Sequence, residues 1–272
     1  MWANFQFVSL IMSFFTDPVY SWPSDLCDKL LESRSLSASH TSYVDLYDEK
    51  YVLKTRMKSS GELDKDKLAR EIDMISLAGP ECSVPIIGRH FLHGAVNGFI
   101  TPYRKCLTQG RGDDIRPEVY NDRKEIIQKL KVLLENLHSK GIIHGDVKPS
   151  NLVLDDSGNL RFIDFAESVL ESEHALSLPR TALTARYVSP SCMRTLSPLT
   201  RADDLYATGV TIWHIYTGRL PFEDVDEDEV DDAILHGLQR LDLTMIDDED
   251  VRAIVSKYLQ DGEPNVKPPS ST

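Results

Sequence analysis

A chain of 272 residues is long enough for one large domain or two small ones, and it buries a sizeable core without covalent staples. Its 41% apolar and 27% charged residues are those of a globular protein and exclude collagen, coiled coil and wholesale disorder. The net charge of −13 argues against a nucleic-acid partner, because a phosphate backbone selects a basic face, and leaves a basic protein partner open. Cys27, Cys82, Cys106 and Cys192 are scattered with no CxxC pair, which reads as free thiols in a reducing compartment. The lack of an Asn-x-Ser/Thr sequon agrees with that intracellular setting, cytoplasmic or nuclear.

Residues 1–35 read as an N-terminal extension. Its apolar run FQFVSLIMSFF is too short to span a bilayer and lacks the basic flank of a secretory signal, since the first Lys or Arg is Lys29. We expect it to pack on the main domain, and we expect no transmembrane segment. From about 36 to 56 the composition suits strands, TSYVDLY and KYVLKTR, joined by a turn at Asp48-Glu49. Leu68, Ile72 and Ile75 then fall at i, i+4 and i+7, a helical stripe that Gly79-Pro80 ends. Strand-like pieces follow at SVPIIG and NGFITPY.

The chain next becomes helical. Ile126, Ile127, Leu130, Leu133, Leu134 and Leu137 line one face of a helix stopped by Gly141. NLVLDD and LRFIDF read as a hairpin turning at Asp156-Ser157-Gly158. LYATGVTIWHIYTG is apolar almost all round, as a buried helix is. Residues 263–272 read as a disordered tail. A strand-rich part with one helix followed by a mostly helical part predicts an α+β protein with two lobes, 36–104 and 105–262.

One stretch carries the chemistry. IIHGDVKPSNLVLDDSGNLRFIDFAE sets Asp146, Lys148, Asn151 and Asp164 around the hairpin, whose fold returns its two ends to one place. Two carboxylates, a carboxamide and an ammonium suit phosphoryl transfer. Oxygen donors hold Mg²⁺, a lysine neutralises charge on the moving group, and a carboxylate orients the attacking hydroxyl.

Here the sequence resembles the eukaryotic-type protein kinases. The family's catalytic loop, His-Arg-Asp-x-Lys-Pro-x-Asn, stands as His144-Gly145-Asp146-Val147-Lys148-Pro149-Ser150-Asn151, and its metal-binding Asp-Phe-Gly as Asp164-Phe165-Ala166. Val52-Leu53-Lys54 is similar to the strand bearing the ATP-contacting lysine, and Glu71 to its ion-pair partner. Ala185 to Pro190 resembles the end of the activation loop, and Asp204 to Gly209 the start of the family's buried central helix.

The resemblance covers about residues 36–262. It implies a bilobal fold with a small β-rich N-lobe holding one long helix, and a mostly helical, C-terminally shortened C-lobe. It implies Asp146 as the group that orients the substrate hydroxyl, Lys148 on the γ-phosphate, Asn151 and Asp164 on Mg²⁺, and Lys54 with Glu71 on the α- and β-phosphates. Thr101 would guard the back of the nucleotide pocket and Tyr103 would stand in the hinge facing the adenine. The implied cofactors are ATP and Mg²⁺, and the implied reaction is transfer of the γ-phosphoryl group to Ser/Thr hydroxyls of a protein substrate by a monomer. The alternative is a pseudokinase that binds or scaffolds.

Four positions depart from the pattern. The first glycine is Gly61, past Lys54, so SRSLSASHTSYV replaces the glycine-rich loop that cradles phosphates. Gly145 stands where the family has the arginine that pairs with a phosphorylated activation loop, which leaves Thr181 and Thr184 as modification candidates with no obvious charge partner. Ala166 replaces a glycine. Ser191 replaces the glutamate that pairs with an arginine of the C-terminal helices, so we expect a less stable C-lobe. His144 reads as a packed structural residue. The acidic run Glu223 to Asp232 reads as a solvated loop, with docking of a basic substrate as the sharper reading.

Overall fold

The computed structural model describes residues 33–38, 42–56, 62–92, 95–110, 113–176, 184–195, 198–236 and 240–262. Most of the N-terminal extension, the tail from 263 and Thr181 lie outside them. The chain divides into two compact units, Met1–Arg104 and Lys105–Thr272.

The first unit is built on one antiparallel sheet. Its elements are β1 (Ser33–Ala38), β2 (Ser42–Tyr47), β3 (Tyr51–Arg56), helix α1 (Glu62–Ala78), β4 (Gly88–Leu92) and β5 (Ala95–Pro102), with sheet order β1-β2-β3-β5-β4. β1 thus begins at Ser33, ahead of the expected boundary at 36. Asp48 and Glu49, both at φ 50°, turn β2 into β3, and the Lys50 amide donates to the Tyr47 carbonyl. Leu68, Ile72 and Ile75 are buried as their spacing predicts, and Gly79 at φ 71° ends the helix. The strand expected across SVPIIG starts only at Gly88. Pro85 within it has no N–H for a ladder, although the Ile87 amide still bonds the Ile100 carbonyl.

The second unit is mostly helical. It runs β6 (Thr108–Gln109), β7 (Asp114–Ile115), α2 (Pro117–Asn121), α3 (Arg123–Ser139), β8 (Ile142–Ile143), β9 (Leu152–Leu154), β10 (Leu160–Phe162), β11 (Val169–Leu170), α4 (Pro190–Thr195), α5 (Arg201–Thr217), α6 (Val230–Leu235) and α7 (Glu249–Gly262). The predicted α3 stripe is buried along its whole length. β9 and β10 form the predicted hairpin, and Asp155 Oδ1 accepts the Ser157 and Asn159 amides to shape its turn.

Helix α5 is the centre of this unit. Ala207 to Tyr216 are buried without interruption. At its start Asp203 accepts the Thr200 amide at 2.7 Å, and at its end Gly218 at φ 70° donates to the His214 carbonyl. Helix α7 lies against α5 so closely that a Cβ at Gly262 would stand 2.5 Å from the Tyr206 Cβ. Among the described residues no helix is long and apolar enough to cross a membrane. The arrangement is α+β, as the order of sequence patterns predicts.

Candidate functional site

In the first unit, β3 brings Lys54 to the face of the sheet that α1 covers. Lys54 Nζ donates to Glu71 Oε1 at 2.7 Å, and the two side chains are 12% and 4% exposed. The pair is therefore not a solvated surface pair of the kind that contributes little. Directly opposed residues of an antiparallel pair share a face, so Val44 (opposite Lys54) and Val52 with Thr101 share the face of Lys54. Val44 was not among the residues the sequence singled out. The Tyr103 amide donates to the Lys50 carbonyl at 2.6 Å, within the same unit.

In the second unit Asp146, Lys148, Asn151 and Thr184 converge. Asp146 Oδ2 lies 2.7 Å from Lys148 Nζ and accepts Asn151 Nδ2 at 2.7 Å. The Asn151 amide also donates to the Asp146 carbonyl at 2.9 Å. Oδ1 of Asp146 accepts the Thr184 hydroxyl at 2.9 Å, and Lys148 Nζ donates to that same Thr184 oxygen at 2.7 Å. Thr184, singled out in the sequence only as a modification candidate, engages both Asp146 and Lys148 through its hydroxyl.

The loop is held from α5. The buried Asp204 carboxylate accepts the His144 and Gly145 amides at 2.8 Å each, and lies 2.8 Å from His138 Nε2. Thr211 donates to the Val147 carbonyl at 3.2 Å. Asp146 is thereby fixed on both sides by one rigid helix. Asp204 entered the sequence reading only as the beginning of that helix. His144 packs between Phe162 and Phe165, with ring centroids 4.6 and 5.0 Å away, and burial depresses its basicity. It is a structural residue, as expected.

Gly145 is at φ 82°, and a Cβ there would meet Leu199 Cδ1 at 2.7 Å and the Glu167 carbonyl at 2.8 Å. The glycine in place of the family's arginine is thus built into the packing. Asp164 lies two residues beyond β10 instead of ending it, because at φ 61° it has left strand geometry. A left-handed aspartate is a strained position of the kind found at functional sites. The Ile163 amide donates to the Asn151 carbonyl at 3.0 Å, which ties the backbones of the two expected metal ligands together. Ala166 keeps a negative φ, so its methyl costs no backbone strain here.

Asn151 commits its amide nitrogen to Asp146, which leaves the amide oxygen as its donor for a cation. That oxygen and the Asp164 carboxylate are hard ligands of the type Mg²⁺ selects. A pair of protein ligands suits an ion that keeps waters and substrate phosphates in its shell. The residues fit the group.

The family model for the protein kinase domain matches residues 103–261, more than half of the chain. Of curated proteins, CBL-interacting protein kinase 24 of Oryza sativa subsp. japonica is 35% identical over 117 residues, 43% of this chain and 26% of its own length. A probable cAMP-dependent protein kinase catalytic subunit of Encephalitozoon cuniculi (strain GB-M1) is 29% identical over 198 residues, 68% of this chain and 58% of its own. Serine/threonine/tyrosine-protein kinase HT1 of Arabidopsis thaliana is 26% identical over 220 residues, 74% and 54%. The chain thus spans between about a quarter and three fifths of the length of these relatives. With the family model covering the loop that carries Asp146, Asn151 and Asp164, the chain belongs to the protein kinase domain family.

Proposed function

We propose that the chain transfers the γ-phosphoryl group of Mg·ATP to serine or threonine hydroxyls of a protein substrate. The observation that carries this reading is the convergence of Lys148, Asn151 and Thr184 on the Asp146 carboxylate. A carboxylate held by three donors presents one fixed orientation to an incoming hydroxyl. Asp146 then accepts that hydroxyl's proton as its oxygen attacks, which is proximity and base catalysis in one group. Lys148 supplies positive charge beside the reacting oxygen. Asn151 and Asp164 are assigned to Mg²⁺, and Lys54, oriented by Glu71, to the α- and β-phosphates. Thr101 and Tyr103 are assigned to the adenine end. When bound, Mg·ATP supplies the phosphoryl group and the metal charge that screens it.

Relatives from Arabidopsis thaliana whose names read serine/threonine-protein kinase support a serine or threonine acceptor, and the net charge of −13 supports a protein substrate over nucleic acid. The exposed acids Glu223, Asp224, Asp226, Asp228 and Glu229 favour a basic one. An intracellular monomer completes the reading.

The test is transfer of label from γ-labelled ATP to a library of serine and threonine peptides, with Asp146→Asn as control. Transfer that falls about a thousandfold in the variant is the expected result. Equal labelling by both proteins would refute the assignment of Asp146.

A second reading, a pseudokinase that binds or scaffolds a protein partner with weak or no nucleotide turnover, is favoured by β1 and β2. Their sequences, SRSLSA and SYVDLY, contain no glycine where the family's phosphate-covering loop stands. Melting of the protein with and without Mg·ATP separates the two, because a ligand of the folded state raises its melting point. No shift and no labelling together would decide for the second reading.

A further inference from the structure

The end of the activation segment is one of the places where this unit departs from its family. The glutamate expected at the end of the segment is Ser191, whose hydroxyl lies 3.2 Å from that of Ser189. Yet the same segment must hold Thr184 against Asp146 and Lys148.

Arg186, two residues past Thr184, is 8% exposed. Its Nη1 donates to the carbonyls of Pro221 and Phe222, each at 2.7 Å. These carbonyls belong to a turn closed by the Glu223 amide on the Leu220 carbonyl at 3.2 Å. Phe222 stands in that turn at φ 57°, a place glycine normally takes. A bulky residue persists there only where surrounding contacts over-determine the backbone. A buried guanidinium likewise persists only where its donors are met, and carbonyls meet them with charge-assisted bonds. Arg186 and the turn answer each other's cost. The next residue adds a second hold, since the Tyr187 phenol lies 2.8 Å from His214 Nδ1 on α5.

We propose that Arg186 is a positioning residue for phosphoryl transfer. It clasps the end of the activation segment to the Pro221–Phe222 turn, in place of the ion pair that a glutamate at position 191 makes in the family, and keeps the Thr184 hydroxyl seated on Asp146 and Lys148. The proposal rests on the kinase reading above for its kinetic consequence and on geometry alone for its structural one.

The test compares Arg186→Met and Arg186→Lys in the full chain. Arg186→Met is expected to lower kcat on a serine peptide by about tenfold to a hundredfold, with KM for ATP within about twofold of the unaltered protein. Arg186→Lys, whose ammonium still donates to carbonyls, is expected to stay within about threefold. On a Thr184→Ala background, Arg186→Met is expected to cost less than about threefold, because the contact it supports is already gone. Arg186→Gln serves where the methionine variant is insoluble.

A second readout does not need turnover. The Tyr187 and Val188 amides donate to the Thr184 and Ala185 carbonyls. Their hydrogen exchange is expected to rise about tenfold or more in Arg186→Met, with the amides of α3 unchanged. Unchanged kcat, a full independent loss on the alanine background, or faster exchange spread through the whole unit would each overturn the proposal. If the unaltered protein transfers no phosphate, the kinase reading alone fails, and the exchange measurement decides the clasp: local acceleration supports it and no acceleration overturns it.

Discussion

The hydroxyl of Thr184 donates to Oδ1 of Asp146 over 2.9 Å. Its oxygen also accepts Lys148 Nζ over 2.7 Å, so one short side chain links the base to the cation beside it. A hydrogen bond to a charged group contributes about 1.5–3 kcal/mol, so Thr184→Ala should lower the transfer rate by about tenfold to a hundredfold. Thr184→Ser keeps the hydroxyl and should remain within about threefold of the parent. Steady-state rates on a serine peptide read both, and an alanine variant at full rate would remove Thr184 from the machinery.

Lys54 and Glu71 are both largely shielded from solvent, and their 2.7 Å bond compensates the burial of each charge. Lys54→Met leaves the Glu71 carboxylate buried without its lysine, at a cost of about 3 kcal/mol or more. Adding Glu71→Gln to that variant should recover a large part of the lost melting temperature, because the buried charge is gone. Neither variant should be stabilised by Mg·ATP in the melting assay. A single variant as stable as the parent would show that the pair carries little.

Restoring the family's arginine at position 145 should harm this chain. Gly145 is at φ 82°, and the space beyond its Cα is taken by Leu199 and the Glu167 carbonyl. Gly145→Ala should cost about 1–3 kcal/mol from the left-handed backbone, and Gly145→Arg more through overpacking. Urea midpoints measure both. An arginine variant of parental stability would mean that the Glu167 region yields easily.

His214 is buried, and desolvation holds its imidazole down to about 4, well below the ordinary value of 6.5; the backbone hydrogen bond at Asp113 opposes this weakly. The folded state therefore resists protonation where the unfolded chain accepts it. Stability should be full above about pH 6.5 and should fall as pH drops from there towards 4, by about 3 kcal/mol in all. His144, also buried and depressed, acts in the same direction. The difference between the parent and His214→Gln isolates the His214 share: the variant's stability should depend less on pH between 4 and 6.5. Parallel curves would refute the assignment.

Much of the fold was legible because period and punctuation survive translation into burial. The spacing of Leu68, Ile72 and Ile75, the α3 stripe from Ile126 to Leu137, and the Asp156-Ser157-Gly158 turn each report a local rule that the tertiary structure obeys. SVPIIG misled because apolar composition alone does not supply ladder hydrogen bonds, and the pairing with β5 starts only at Gly88. The acid, amide and ammonium of this loop were legible because Asp146 and Asn151 stand five positions apart and the hairpin brings Ile163 back to Asn151.

The order of elements and the polar set of the loop were therefore decided by the sequence itself, through periodicity and short-range spacing. Contacts between residues far apart in the chain were decided only by the tertiary structure. Thr184 reaches Asp146 across 38 positions, Asp204 reaches Gly145 across 59, and Arg186 reaches Pro221 across 35. No local pattern encodes such pairs, because each depends on where helix α5 sets the loop and on which buried donors need an acceptor.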